Sequence, residues 1–236
     1  MRALVTCSYN GTHFLGSQTQ SETKNTIFGH IEHVLNEINI TSKPQPSGRT
    51  DKGVHASGQT FHIDLPEFWT DLKKLKRVLN EMLPNSIKIL NIKEVDNDFH
   101  ARYSAKSRVY RYLIKTTDSN PFEDDFISFY KGIDFNVLQN KIPLFIGEHD
   151  FKQFMRTGSD TGSTVRKVYK SFAYKHNNTI VLNFEANGFL RSQIRLMVGA
   201  LLKLDADQIK EQLECSKQHK IKPASANGLY LAKIKY

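Results

Sequence analysis

The chain has 236 residues, with 33 Lys plus Arg against 24 Asp plus Glu, a formal net charge of +9 at pH 7 and 11% aromatic residues. Such a length buries a sizeable core in one large or two small domains, and the positive excess with aromatic interleaving suits an RNA-handling surface. Two cysteines, Cys7 and Cys215, far apart and in no Cys-x-x-Cys or Cys/His array, speak against a disulfide framework or a metal site and fit a reducing cytosol.

The first expected strand covers residues 2–9, where Ala3, Val5, Cys7 and Tyr9 alternate, and it runs into a turn at Asn10-Gly11. Nothing after Met1 has the charged and apolar layout of a signal peptide, and no run approaches the length of a transmembrane helix, so a cytoplasmic protein outside the membrane is expected. Ile27, Ile31, Val34, Leu35 and Ile38 recur at helical spacing, and Pro44-Gln45-Pro46 ends that pattern. Phe61, Ile63 and Leu65 alternate as a strand. Leu72, Leu75, Leu79 and Met82 mark a second helix, and strands follow near 87–95 and 107–114.

The second half reads as a helical stretch near 134–146, strands near 165–175 and 179–186, a helix from about 189 to 204, and a final strand over 229–236. On the 189–204 helix Ile194, Met197, Val198 and Leu201 share one face, while Arg191 and Arg195, one turn apart, share another. Residues 115–133 and 152–164 have the composition of loops. Strands and helices in mixed order predict an α+β protein of two units, residues 1–101 and 102–236, with the functional cleft between them.

Between the first helix and the strand at Phe61 lies Gly48-Arg49-Thr50-Asp51-Lys52-Gly53-Val54-His55-Ala56-Ser57-Gly58-Gln59, which has no apolar periodicity. It sets a carboxylate among glycines, a guanidinium and an imidazole, which is the makeup of a site. Its glycines allow tight turning and close approach to a ligand, and Arg49 is placed to hold the Asp51 carboxylate ionised. The plain alternative is a surface Asp-x-Gly turn. On the expected strand at 107–114, Tyr110 and Tyr112 point to one face and Arg111 to the other. His55, His62 and His100 are read as structural hydrogen-bonders, no P-loop is present, and neither a cofactor nor a metal is expected.

The same motif, with Tyr9-Asn10-Gly11-Thr12-His13-Phe14, Gly16-Ser17-Gln18-Thr19-Gln20, Asp98-Phe99-His100-Ala101-Arg102-Tyr103-Ser104-Ala105, Val109-Tyr110-Arg111-Tyr112, Asn187-Gly188-Phe189-Leu190, Arg195, Met197-Val198-Gly199 and Gly228-Leu229-Tyr230-Leu231, resembles the tRNA pseudouridine synthase A (TruA) family in order along nearly the whole chain. The resemblance implies the pseudouridine synthase fold, two α/β subdomains around an extended, mostly antiparallel sheet with a central cleft. It implies an isomerase that converts uridine to pseudouridine at positions 38 to 40 of the tRNA anticodon arm and works as a homodimer. By the same resemblance Asp51 is the catalytic carboxylate, Arg195 its partner and Tyr110 the tyrosine on the base. Arg49 would, by that resemblance, help fill the place that the base leaves, whereas Arg191, an arginine added to the family's pattern, would strengthen the grip on phosphate. Whether Asp51 attacks ribose, attacks the base or takes a sugar proton stays open, as do a paralogue acting on ribosomal RNA and a non-catalytic RNA-binding module. Ser17 stands where the family usually has an aromatic residue, and Arg191-Ser192-Gln193 also departs from its pattern, so both are expected to alter how RNA is gripped or how far the base must travel, more than whether the bond is broken.

Overall fold

β1 (Arg2–Tyr9) puts Ala3, Val5, Cys7 and Tyr9 in the core, as the sequence pattern predicts, and buries Leu4 from the opposite face as well. The structure is a computed structural model that describes residues 1–156, 158 and 162–236. These form two compact units, the first comprising Met1–Lys106 and Leu231–Tyr236, the second Ser107–Tyr230.

In the first unit, α1 (Ile27–Glu37) starts where Thr26 accepts a hydrogen bond from the Gly29 N–H, a side-chain cap on otherwise orphaned donors. It packs against the sheet through Phe28, whose ring meets Phe61 edge-on at 5.5 Å. After the two-residue β2 (Gln45–Pro46) comes β3 (His55–Asp64), which pairs antiparallel with β1 from Arg2↔Asp64 to Tyr9↔Ala56. β3 thus begins six residues before the expected strand and takes in the second half of the glycine-containing motif. Periodicity missed this because Gln59 and Thr60 are buried on β3 as hydrogen-bonding residues: Gln59 receives the Ser47 hydroxyl at 2.7 Å, and Thr60 meets the Tyr236 hydroxyl at 2.6 Å.

The second helix, α2 (Leu72–Met82), is capped by Asp71 and lies on β4 (Ile87–Val95), the strand on the other side of β1. Asn80 fixes it there by exchanging two hydrogen bonds with the Ile89 backbone, at 2.8 and 3.0 Å. Only Leu75 and Leu79 of its expected stripe are fully buried, and Met82 is exposed, since a helix on one outer strand is covered along a narrow line.

The second unit holds β5 (Ser107–Lys115), the short β6 (Ser128–Phe129) parallel to it, α3 (Phe135–Lys141), β7 (Gly147–Asp150), β8 (Val165–His176), β9 (Thr179–Ala186), α4 (Gln193–Lys203) and α5 (Ala206–Leu213). β5, β9, β8 and β7 are neighbours in that order, all antiparallel. Phe145, Phe151, Phe154 and Phe184 are fully buried and fill its core with edge-on ring contacts. Helix α3 is shorter than expected because Pro143 follows and the chain tightens into a 3-10 turn at Ile142–Phe145. β6, β7 and α5 were not foreseen. α5 carries a full capping box between Asp205 and Gln208, a signal that was present in the sequence. The loop expected at 152–164 lies partly outside the described residues; its start is a 3-10 turn, Phe151–Phe154.

The last strand, β10 (Leu229–Lys235), lies beside β3, with its residues from Leu231 onward in the first unit. The architecture is the mixed, mostly antiparallel α+β class that the sequence predicts.

Candidate active site

Asp51 sits on a short turn between β2 and β3, half-buried, with its carbonyl closed by the Val54 N–H at 3.1 Å. The turn rests in a cradle made by residues 9–17. Tyr9 at the end of β1 places its hydroxyl 2.8 Å from Thr50 Oγ1. The Ser17 N–H donates to the Thr50 carbonyl at 3.1 Å, and the Thr50 N–H donates to Ser17 Oγ at 2.8 Å. Gly11 lies so close to Val54 that a Cβ there would stand 2.0 Å from the Val54 carbonyl oxygen, and the Gly11 N–H donates to His55 Nδ1 at 3.0 Å.

These contacts bear on three of the sequence readings. Ser17 is buried, 1% exposed, and its N–H and hydroxyl are both engaged with the Thr50 backbone beside Asp51. Arg49 is exposed, and no ion pair is seen between it and Asp51 among the described residues. The glycines serve different ends: Gly53 turns the chain at φ +76, whereas a Cβ on Gly58 would stand 2.3 Å from the Ala232 carbonyl oxygen, so Gly58 serves the close passage of β10. Gly48 faces open space, with nothing within 4 Å of a Cβ built there.

In the second unit, Tyr110 is half-buried on β5 and meets Phe189 edge-on, with ring centroids 5.3 Å apart. The turn before Phe189 is held by Asn187, which exchanges hydrogen bonds with the Lys167 backbone at 3.0 and 3.1 Å and whose carbonyl accepts from Arg108 at 2.8 Å. Two residues along β5, Tyr112 points to the same face and is wholly buried, as expected of a core tyrosine. It is also a hydrogen-bond hub: its hydroxyl donates to the Ser225 carbonyl at 2.9 Å and lies 2.8 Å from Ser128 Oγ. Burial pushes the Tyr112 hydroxyl well above the usual tyrosine range, so it stays a donor.

Arg195 lies half-buried on α4 and is tied to the segment that Tyr112 holds. Its Nε donates to the Ala224 carbonyl at 2.7 Å, while its own carbonyl accepts the Ala224 N–H at 2.8 Å. A Cβ on Gly199 would stand 2.0 Å from the Lys222 carbonyl oxygen, so glycine lets this segment run along the helix. Arg191 does not share the helix with Arg195. Helix α4 starts at Gln193, Ser192 is in the left-handed region at φ 60, and exposed Arg191 reaches the Gly158 carbonyl at 3.5 Å. The helical spacing misled here because Gln193 turns back, its Oε1 accepting the Leu190 N–H at 2.8 Å, which ends the preceding turn just before the helix begins.

The three histidines are hydrogen-bonded structurally. His55 accepts from Gly11, His62 Nδ1 accepts the Ala101 N–H at 3.1 Å, and His100 Nδ1 accepts the Arg102 N–H at 3.2 Å. Burial, with the neighbouring His100 and Arg2, lowers His62 to about 4, which keeps its accepting nitrogen free of a proton. Among the described residues no group of three or more His, Cys, Asp or Glu is placed to hold a metal, and no helix is long and apolar enough to cross a membrane. Tyr9, Thr50 and Phe189 carry no site role in the sequence reading, and Ser17 carries only its expected effect on RNA grip. Thr50 adjoins Asp51, whereas nothing near Ser17 in the sequence points to its bonds with Thr50.

The family model described as tRNA pseudouridine synthase matches residues 6–104 and 142–236. A tRNA pseudouridine synthase A of Campylobacter jejuni (strain RM1221) is 36% identical over 100% of both chains. Its namesake in Wolinella succinogenes is 35% identical over 99% of this chain and 94% of that one, and that of Geobacillus sp. (strain WCH70) is 35% identical over 100% and 98%.

Proposed function

We propose, from the premise that this chain belongs to the tRNA pseudouridine synthase family, that it isomerises uridine to pseudouridine in tRNA. The targets proposed are uridines at positions 38 to 40 of the anticodon arm, and the working form is a cytosolic homodimer. The observation that carries the reading is the Asp51 turn, whose preceding residue is fixed by buried hydroxyls while Asp51 itself remains half-buried.

The reaction breaks the bond from ribose C1′ to N1 of uracil, turns the base, and joins C1′ to C5, with the C5 proton finally passing to solvent and N1 regaining one. It calls for no redox equivalent and no phosphate donor. Asp51 acts as the ionised carboxylate, in the way carboxylates act at glycosidic carbons. Arg195 supplies the positive charge that keeps it ionised against desolvation. The Tyr110 ring stacks on the uracil, an interaction of roughly 1 to 3 kcal/mol, comparable to the cost of extruding the base. Arg49 then fills the vacated position and Arg191 holds phosphate, so that net affinity comes from backbone contacts and falls with salt.

The test is product analysis on unmodified transcripts of the anticodon arm and of ribosomal RNA fragments. Asp51→Asn is expected to abolish pseudouridine formation while RNA affinity stays within a few fold. An active Asp51→Asn enzyme ends the carboxylate assignment. Modification of ribosomal RNA alone would leave that chemistry intact and overturn the tRNA assignment.

A further inference from the structure

Thr50, the residue directly before Asp51, is held at every polar atom it has. Its N–H goes to Ser17 Oγ at 2.8 Å, its carbonyl receives the Ser17 N–H at 3.1 Å, and its hydroxyl lies 2.8 Å from that of Tyr9. All three residues are buried: Ser17 is 1%, Tyr9 4% and Thr50 7% exposed. Ser17 imitates a paired strand residue here, with a side-chain oxygen doing what a backbone carbonyl does in a ladder. Ser17 is itself anchored, because its carbonyl accepts the Phe28 N–H at 2.9 Å and the Gly16 carbonyl accepts the Ile27 N–H at 3.2 Å, both from the first turn of α1. A line of hydrogen bonds therefore runs from the start of α1 through Ser17 to the peptide that enters Asp51. On the other side the Val54 N–H holds the Asp51 carbonyl at 3.1 Å.

We infer that Ser17, supported by Tyr9, is a positioning residue for the Asp51 carboxylate: it sets the backbone direction of Thr50 and so the point at which the carboxylate meets the substrate. The inference rests on the proposed function for what Asp51 does, but on geometry alone for how Asp51 is held. A buried N–H without its acceptor seeks another partner or water, so removing the Ser17 hydroxyl frees the Thr50 peptide to rotate. Such a displacement changes the chemical step more than it changes RNA binding, because most of the affinity resides in phosphate contacts elsewhere.

The experiment compares wild type, Ser17→Ala and Tyr9→Phe in the full chain. It reads single-turnover pseudouridine formation on an unmodified tRNA transcript, the tRNA dissociation constant, and amide hydrogen exchange at Thr50 and Asp51. Ser17→Ala is expected to slow turnover about 10- to 100-fold with the dissociation constant within about threefold, and Tyr9→Phe to do the same to a smaller degree. Exchange at Thr50 should quicken in Ser17→Ala while the β1 and β3 amides keep their protection. Unchanged turnover accompanied only by a lower unfolding temperature overturns the inference, as does unchanged exchange at Thr50. If Ser17→Ala does not fold, Tyr9→Phe decides by the same turnover and exchange readings. A wild-type chain that forms no pseudouridine on any RNA would sink the functional reading, while the exchange data would still decide whether Ser17 holds the Asp51 turn.

Discussion

Gly11→Ala is the most demanding test of how the Asp51 turn is built. The added Cβ would stand 2.0 Å from the Val54 carbonyl oxygen and 2.7 Å from the carbonyl carbon, both backbone atoms that no rotamer change can move. Retreat to ordinary contact at 3.4 Å requires more than an ångström of motion in Val54, whose N–H closes on the Asp51 carbonyl. The same retreat strains the bond from the Gly11 N–H to His55 Nδ1, now 3.0 Å. Overpacking and a weakened buried hydrogen bond together cost about 2 to 4 kcal/mol. In a chain of this size that lowers Tm by roughly 5 to 15 °C. A displacement of about an ångström at a catalytic group slows turnover on the order of 100-fold. Calorimetry or dye-monitored melting, with single-turnover pseudouridine formation measured well below the lowered Tm, separates the two effects. Gly48→Ala, in the same turn but with nothing within 4 Å of its Cβ, should keep the wild-type Tm. A Gly11→Ala protein with wild-type Tm and rate would refute this account of the turn.

His62 gives a stability that depends on pH. Its imidazole is held at about 4 in the fold against 6.5 when free, so the unfolded chain binds the extra proton between those values; stability is complete above about 6.5 and is lost as pH falls toward 4. The loss at pH 5 is at most about 2 kcal/mol. Denaturant titrations near pH 7.5 and pH 5 should show it, and His62→Gln should narrow the gap; an equal gap in both proteins would refute the assignment. Tyr112→Phe removes the hydroxyl shared with Ser128 and the Ser225 carbonyl, for a cost of about 1 to 3 kcal/mol, and should also reduce turnover, because the adjoining Ala224 carbonyl holds the Arg195 side chain. Unchanged kcat in Tyr112→Phe would separate that hub from Arg195. Arg191→Ala should weaken binding to all RNAs alike and reduce the slope of log affinity against log salt by about 0.7 to 0.9, so an unaltered slope would show that Arg191 neutralises no phosphate.

Most elements of this fold are legible from local pattern, because burial of one face imposes a period on neighbours in the sequence: β1, α1, β4, β5 and β9 lie where their apolar spacing puts them. The motif around Asp51 and the tyrosines of β5 are likewise visible as residue types that core packing does not call for. What local pattern does not hold is which polar residues are buried and by whom they are satisfied. Ser17 and Thr50 are 33 positions apart, and nothing in either neighbourhood marks one as the partner of the other. The early start of β3 follows from Gln59 and Thr60 being paid for by Ser47 and Tyr236, the latter 176 positions away. Arg191 leaves the face of Arg195 because one left-handed residue, Ser192, intervenes, and a period cannot record a single reversed φ. Gly11 and Gly58 are glycine because another backbone passes within contact distance, which is a property of the assembled sheet and its loops. The residue types of the site are therefore written in the chain, while the direction in which Asp51 is held is decided by hydrogen bonds between segments that only folding brings together.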